Sequence, residues 1–99
     1  MNAIELEQTS EFCPEQYWAR KGTHIIGYIR LRWGHLTCHY LLQDGQLSPD
    51  DIKVYDYVFE GDEYKGSFDT EEERTFHLEK CKKALMEKYN ELKKKNSKK

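Results

Sequence analysis

Residues 24–33, HIIGYIRLRW, alternate with a period of two, and no other stretch constrains the fold as tightly. Ile25, Gly27, Ile29, Leu31 and Trp33 fall on one side, and His24, Ile26, Tyr28, Arg30 and Arg32 on the other. Side chains of a strand point alternately to opposite faces, so this pattern predicts an antiparallel strand with one drier face. Gly34 predicts a tight turn or bulge after it. Residues 35–42, rich in Leu, Thr and Tyr, predict a second strand. Asp44-Gly45 and Ser48-Pro49-Asp50-Asp51 mark a loop. Residues 52–59 predict a third strand. Ile52, Val54 and Val58 share a face broken by Asp56, and Lys53, Tyr55, Tyr57 and Phe59 share the other. Gly61-Asp62 turns the chain into a short fourth strand over 64–68, weakened by Gly66.

Upstream, Ile4 and Leu6 alternate with Glu5 and Glu7, as in a short strand. Pro14 suits the first position of a helix, so residues 14–20, with Tyr17 and Trp18, read as one or two helical turns ended by Gly22. The last element starts at Thr70. Thr70-Glu71-Glu72-Glu73 fits a capping box, with glutamates at the positive end of the helix dipole and lysines at the far end. Leu78, Cys81, Leu85, Tyr89 and Leu92 form a stripe about 80° wide, enough to pack on one layer. Phe76 lies opposite that stripe. The expected fold is therefore α+β. A meander of three or four antiparallel strands carries a long C-terminal helix on one face, and a short N-terminal helical arm closes an edge or the other face. Residues 1–92 read as one domain and 93–99 as a disordered lysine-rich tail.

The 99 residues allow one domain with a thin core. Aromatics reach 13%, which argues against disorder. No apolar run approaches the ~20 residues of a membrane helix, and Met1 to Ser10 carries acids where a signal peptide needs a basic start. Cys13, Cys38 and Cys81 are odd in number and read as reduced thiols. The expectation is a cytosolic protein.

Charge is uneven. Residues 44–73 hold eleven acids and two bases, and residues 80–99 hold nine lysines and two acids. The acidic segment suits soluble loops and a helix N-terminus, or else a polyanion mimic that fills a partner's basic groove. The lysines suit a solvated helix end, or attraction to nucleic acid or an anionic membrane surface, though a pI near 6.1 argues against a dedicated nucleic-acid binder.

Metal-binding and catalytic patterns are weak. His35 and His39 share a strand face but lie about 13 Å apart, too far for one ion. His77 and Cys81 stand one helical turn apart and need two more ligands. A Cys–His pair such as Cys38 with His24 lacks an orienting group and an oxyanion donor. No metal, cofactor or catalytic residue is expected.

The strongest candidate surface is the sheet face opposite the helix. Tyr28, Arg30 and Arg32 lie there, and Tyr55, Tyr57 and Phe59 join them if the strands pair in the obvious order. Tyr and Arg are enriched in protein interfaces, and aromatic faces with arginines also stack single-stranded bases. The competing reading has Phe12, Trp18 and the N-terminal arm covering this face as a second small core. Arg32-Trp33-Gly34, followed by Phe68-Asp69-Thr70-Glu71-Glu72, resembles the WGR domain over fewer than ten residues. His35 stands where that family has a second arginine, and the spacing to the helix is longer. The resemblance implies nucleic-acid association.

The sequence thus points to a small non-catalytic protein-binding module, regulatory, inhibitory or adaptor in kind. Its contact residues would be Tyr28, Arg30, Arg32, Tyr55, Tyr57, Phe59 and the outlying Phe76. Another protein is the expected partner, self-association through the same face is a further option, and no membrane is expected. The alternative is single-stranded nucleic-acid binding by that face and the lysine tail.

Overall fold

The computed structural model describes residues 4–10 and 15–96. Five strands, β1 (Glu5–Ser10), β2 (Glu15–Lys21), β3 (His24–Arg32), β4 (His35–Tyr40) and β5 (Ile52–Val58), precede one helix, α1 (Glu71–Asn96). Every strand pairs antiparallel with its chain neighbour, in the order β1-β2-β3-β4-β5. The α+β class and the meander are as expected, and the strand count is larger.

The N-terminal segment corrects the sequence reading. Instead of a helical arm, β1 and β2 extend the sheet, with Tyr17 opposite Ile29 and Trp18 opposite Tyr28. Alternation in β2 runs Glu15, Tyr17 and Ala19 into the core and Gln16, Trp18 and Arg20 outward. A charged residue on the dry side and tryptophan on the wet side hid that period from the sequence. The fourth strand over 64–68 does not form either. Residues 59–68 instead strap the end of the sheet: Phe59 N–H donates to the Gly34 carbonyl at 2.8 Å, Gly34 N–H to Lys65 at 2.9 Å, and Glu15 N–H to Gly66 at 2.7 Å.

β3 and β4 join through Trp33-Gly34, both with positive φ, 55° and 69°. Two such residues make the type I′ turn, whose twist matches the flanking strands. Gly34 is required twice over, because an added Cβ would stand 2.3 Å from the Asp62 carbonyl oxygen.

α1 begins with the expected cap: Glu73 N–H donates to Thr70 Oγ1 at 3.0 Å, while Asp69 N–H donates to Glu73 Oε1 at 3.0 Å. The helix packs across β3, β4 and β5. Leu78, Cys81 and Leu85 meet Ile29, Leu31, Leu36 and Cys38 in the core. Each such aliphatic side chain contributes about 1.5–3 kcal/mol relative to exposure. Gly27 lets Leu85 approach the sheet, since a Cβ there would lie 2.7 Å from both leucine methyls. α1 continues to Asn96, into the lysine-rich segment, and residues 97–99 lie outside the described residues. Among the described residues, no helix is long and apolar enough to cross a membrane.

Candidate functional site

The register splits the predicted contact residues between two surfaces. Tyr55 pairs with Cys38 and Tyr57 with Leu36, both buried beneath the helix. Tyr55, Tyr57 and Phe59 therefore lie on the helix side, not beside Tyr28, Arg30 and Arg32. The sequence could not show this, because a shift of one residue in pairing moves a whole strand's pattern to the other face.

On the helix side these aromatics surround His77, which is buried. Tyr55 Oη lies 3.0 Å from His77 Nδ1, and the Tyr57, Phe59 and Phe68 rings sit 4.6, 5.2 and 5.8 Å from the imidazole. Burial pushes the His77 pKa below its ordinary value, Glu73 opposes the shift and Lys65 adds to it. Phe76 is exposed on the outer side of α1, with Lys80 Nζ 5.4 Å over its ring. His77 and Cys81 do share the inward side of α1. Among the described residues, however, no three His, Cys, Asp or Glu side chains converge on a point that could hold a metal. His24 sits at an exposed strand end, 2.7 Å from Asp44, far in character from the buried Cys38.

The opposite face of the sheet stays open among the described residues. The arm expected to cover it is part of the sheet, and Phe12 lies outside the described residues. Trp18 joins Tyr28 there, with ring centroids 5.0 Å apart and planes inclined by 50°. Tyr28 donates its hydroxyl proton to Gln16 Oε1, and burial raises its pKa. This fixes the ring beside Arg30, which register places between Gln16 of β2 and Thr37 of β4. At the rim, a cleft of about 170 Å³ is bounded by Tyr28, Arg30, Thr37, His39 and the loop residues Leu47 and Asp51. Asp51 is committed to that loop, accepting from Leu42 N–H at 3.1 Å and Ser48 N–H at 2.7 Å. Burial lowers the His39 pKa, against the opposing charge of Asp51.

Two other cations of this face are paired: Arg20 binds Glu7 at 2.8 Å, and Lys53 binds Asp56 at 2.7 Å. Arg30 and Arg32 have no carboxylate partner among the described residues, and Arg32 only stacks toward Trp33, 5.6 Å from its ring. The arrangement is thus two free guanidiniums, two residues apart on β3, beside a fixed Trp–Tyr pair. Such a set can bind carboxylates through charge-assisted hydrogen bonds and bury apolar area alongside them. Trp18 is the participant that the sequence reading missed. Its signal was the alternation Gln16, Trp18, Arg20, masked by Pro14 and by the core glutamate.

Comparison of the chain with known protein families, curated proteins and solved structures returns no match, the WGR likeness included, so the site's meaning rests on its own geometry.

Proposed function

We propose that the protein is a small non-catalytic binding module that docks another protein on the open face of its sheet. Arg30 carries the reading: a guanidinium without a carboxylate partner among the described residues, set beside the Trp18–Tyr28 pair on an uncovered surface. Trp18 and Tyr28 would supply buried area, and Arg30 and Arg32 would grip acidic side chains of the partner. Tyr55, Tyr57 and Phe59 leave this set, because they serve the helix side.

The alternative, single-stranded nucleic acid, draws on the same aromatic and arginine pairing. Two observations weigh toward protein. The cations Arg20 and Lys53 of this face are neutralised by Glu7 and Asp56, which leaves no continuous basic track for a phosphate backbone. The Trp18 and Tyr28 rings are inclined to one another and do not form a flat stacking platform.

A pull-down from source lysate, with and without nuclease, tests the reading with wild type, Trp18→Ala and Arg30→Glu. A nuclease-resistant partner lost in both variants, with circular dichroism unchanged, supports it. Partners retained by both variants sink it, and capture abolished by nuclease and falling steeply with salt gives the face to nucleic acid.

A further inference from the structure

β5 is the last strand of the sheet, so one of its sides has no strand beside it among the described residues. Tyr55 and Tyr57 pair with β4, and the ladder runs on to Phe59, whose N–H reaches the Gly34 carbonyl at 2.8 Å. Bonded and non-bonded pairs alternate along an antiparallel ladder. With Phe59, Tyr57 and Tyr55 turned inward, Asp56 and Val58 turn their N–H and C=O groups away from the sheet. Among the described residues, no turn, loop or cap backbone hydrogen bond reaches those groups.

This edge is apolar on both sides, with Val58 58% exposed on the open face and Tyr57 45% exposed on the helix side. A cleft of about 770 Å³ follows it, lined by Asp56, Glu60, Asp62, Asp69 and Glu73 against the single cation Lys65. Lys65 is already held by Asp69 at 2.7 Å and Glu73 at 3.1 Å. Glu60 and Asp62 make no ion pair among the described residues.

We propose that the β5 edge accepts an extended peptide segment of a partner, one that alternates lysine or arginine with apolar residues and adds as a sixth strand. The open backbone groups of Asp56 and Val58 supply the ladder, Val58 and Tyr57 the apolar contacts, and the unpaired Glu60 and Asp62 the selection for positive charge. Charge also argues against a second copy as the occupant, because the same segment of that copy would bring more carboxylates, while its Lys53 and Lys65 are already paired. The ladder would form along the edge of β5 and meets the open face only at Val58, two strands from Arg30, so either reading can stand without the other.

The test uses a fluorescent seven-residue peptide alternating lysine with valine, and a control alternating glutamate with valine. Val58→Pro removes an outward donor and no bond to β4, so the fold survives while the edge is blocked. Expected results are saturable binding of the basic peptide alone, amide shifts centred on Asp56 and Val58, and affinity at least tenfold weaker in Val58→Pro and in the Glu60→Lys/Asp62→Lys double variant. Arg30→Ala should leave this binding unchanged. The proposal is overturned by no saturable binding, by equal binding of the acidic peptide, by indifference to Val58→Pro, or by loss in Arg30→Ala. Sedimentation that shows a dimer dispersed by Val58→Pro would also overturn it, since the edge would then belong to a second copy.

Discussion

Glu15 and Arg74, 59 positions apart in the chain, are joined by two charge-assisted hydrogen bonds, Nε to Oε2 at 2.7 Å and Nη2 to Oε1 at 3.2 Å. The carboxylate is buried at the start of β2 and also accepts from Phe68 N–H at 3.2 Å and from the Tyr17 hydroxyl. Burial alone would raise its pKa, but these donors outweigh burial and hold it below the ordinary value. The pair fastens the first turn of α1 to the strand that the sequence disguised as helix. Removing one partner of a buried ion pair leaves an uncompensated charge, at a cost of about 3–5 kcal/mol. Arg74→Met should lower stability by roughly that amount, measured by urea unfolding. Glu15→Gln/Arg74→Met should cost clearly less than the sum of the single changes. Additive losses would mean that the two groups do not act together.

Gly34 and Gly22 both have positive φ, 69° and 65°, but their surroundings differ. Nothing lies within 4 Å of a Cβ at Gly22, so Gly22→Ala should cost only the left-handed backbone penalty of about 1–2 kcal/mol. At Gly34 the same change also meets the Asp62 carbonyl oxygen at 2.3 Å, which is backbone and cannot swing aside. Gly34→Ala should therefore cost at least about 1–3 kcal/mol more than Gly22→Ala. Equal costs in parallel denaturation curves would show that the strap over residues 59–68 yields freely.

Local rules were legible wherever the pattern and the environment agreed. β3 alternates from Gly27 onward, broken upstream where a bulge buries Ile26 beside Gly27, and the α1 stripe and its Thr70 cap follow from spacing alone. The failures have one physical source, that pairing between distant segments decides what a local pattern means. Glu15 reads as a surface residue until Arg74 arrives from the helix. Tyr55 and Tyr57 read as partners of Tyr28 until the β4–β5 register sets them opposite Cys38 and Leu36. Three of the four residues of the candidate face, Tyr28, Arg30 and Arg32, were accessible because they lie within one strand. The fourth, Trp18, required knowledge of which strand sits beside it.

His77 ties stability to pH. Its ordinary value is 6.5, and burial among Tyr55, Tyr57, Phe59 and Phe68 lowers it in the folded state, with Glu73 opposing and Lys65 assisting. Between the two values the unfolded chain binds more protons than the folded one, so stability falls as pH drops below 6.5. His39, also lowered, acts in the same direction. Glu15, whose ordinary value is 4.5, adds a second loss below that pH. Urea midpoints should decline from pH 6.5 downward and more steeply below 4.5. In His77→Phe, the decline between 6.5 and 5 should be shallower. An unchanged slope there would leave His77 without a role in it.

Cys38 on β4 and Cys81 on α1 are both fully buried where helix meets sheet, with Cys38 Sγ 4.0 Å from the Cys81 carbonyl oxygen. The contact with Cys81 and burial both push the Cys38 thiol pKa up, which further slows alkylation. Neither sulfur can meet a reagent unless α1 leaves the sheet, so in a Cys13→Ser background labelling should report that separation. With a folding free energy of about 5 kcal/mol or more, iodoacetamide should react at least about a thousandfold more slowly than with the unfolded chain. In urea, labelling of both cysteines should rise together with the loss of circular dichroism. Rapid labelling of Cys81 under native conditions, with the strands still intact, would instead show that α1 opens as a unit of its own and that the Glu15–Arg74 pair does not hold it down.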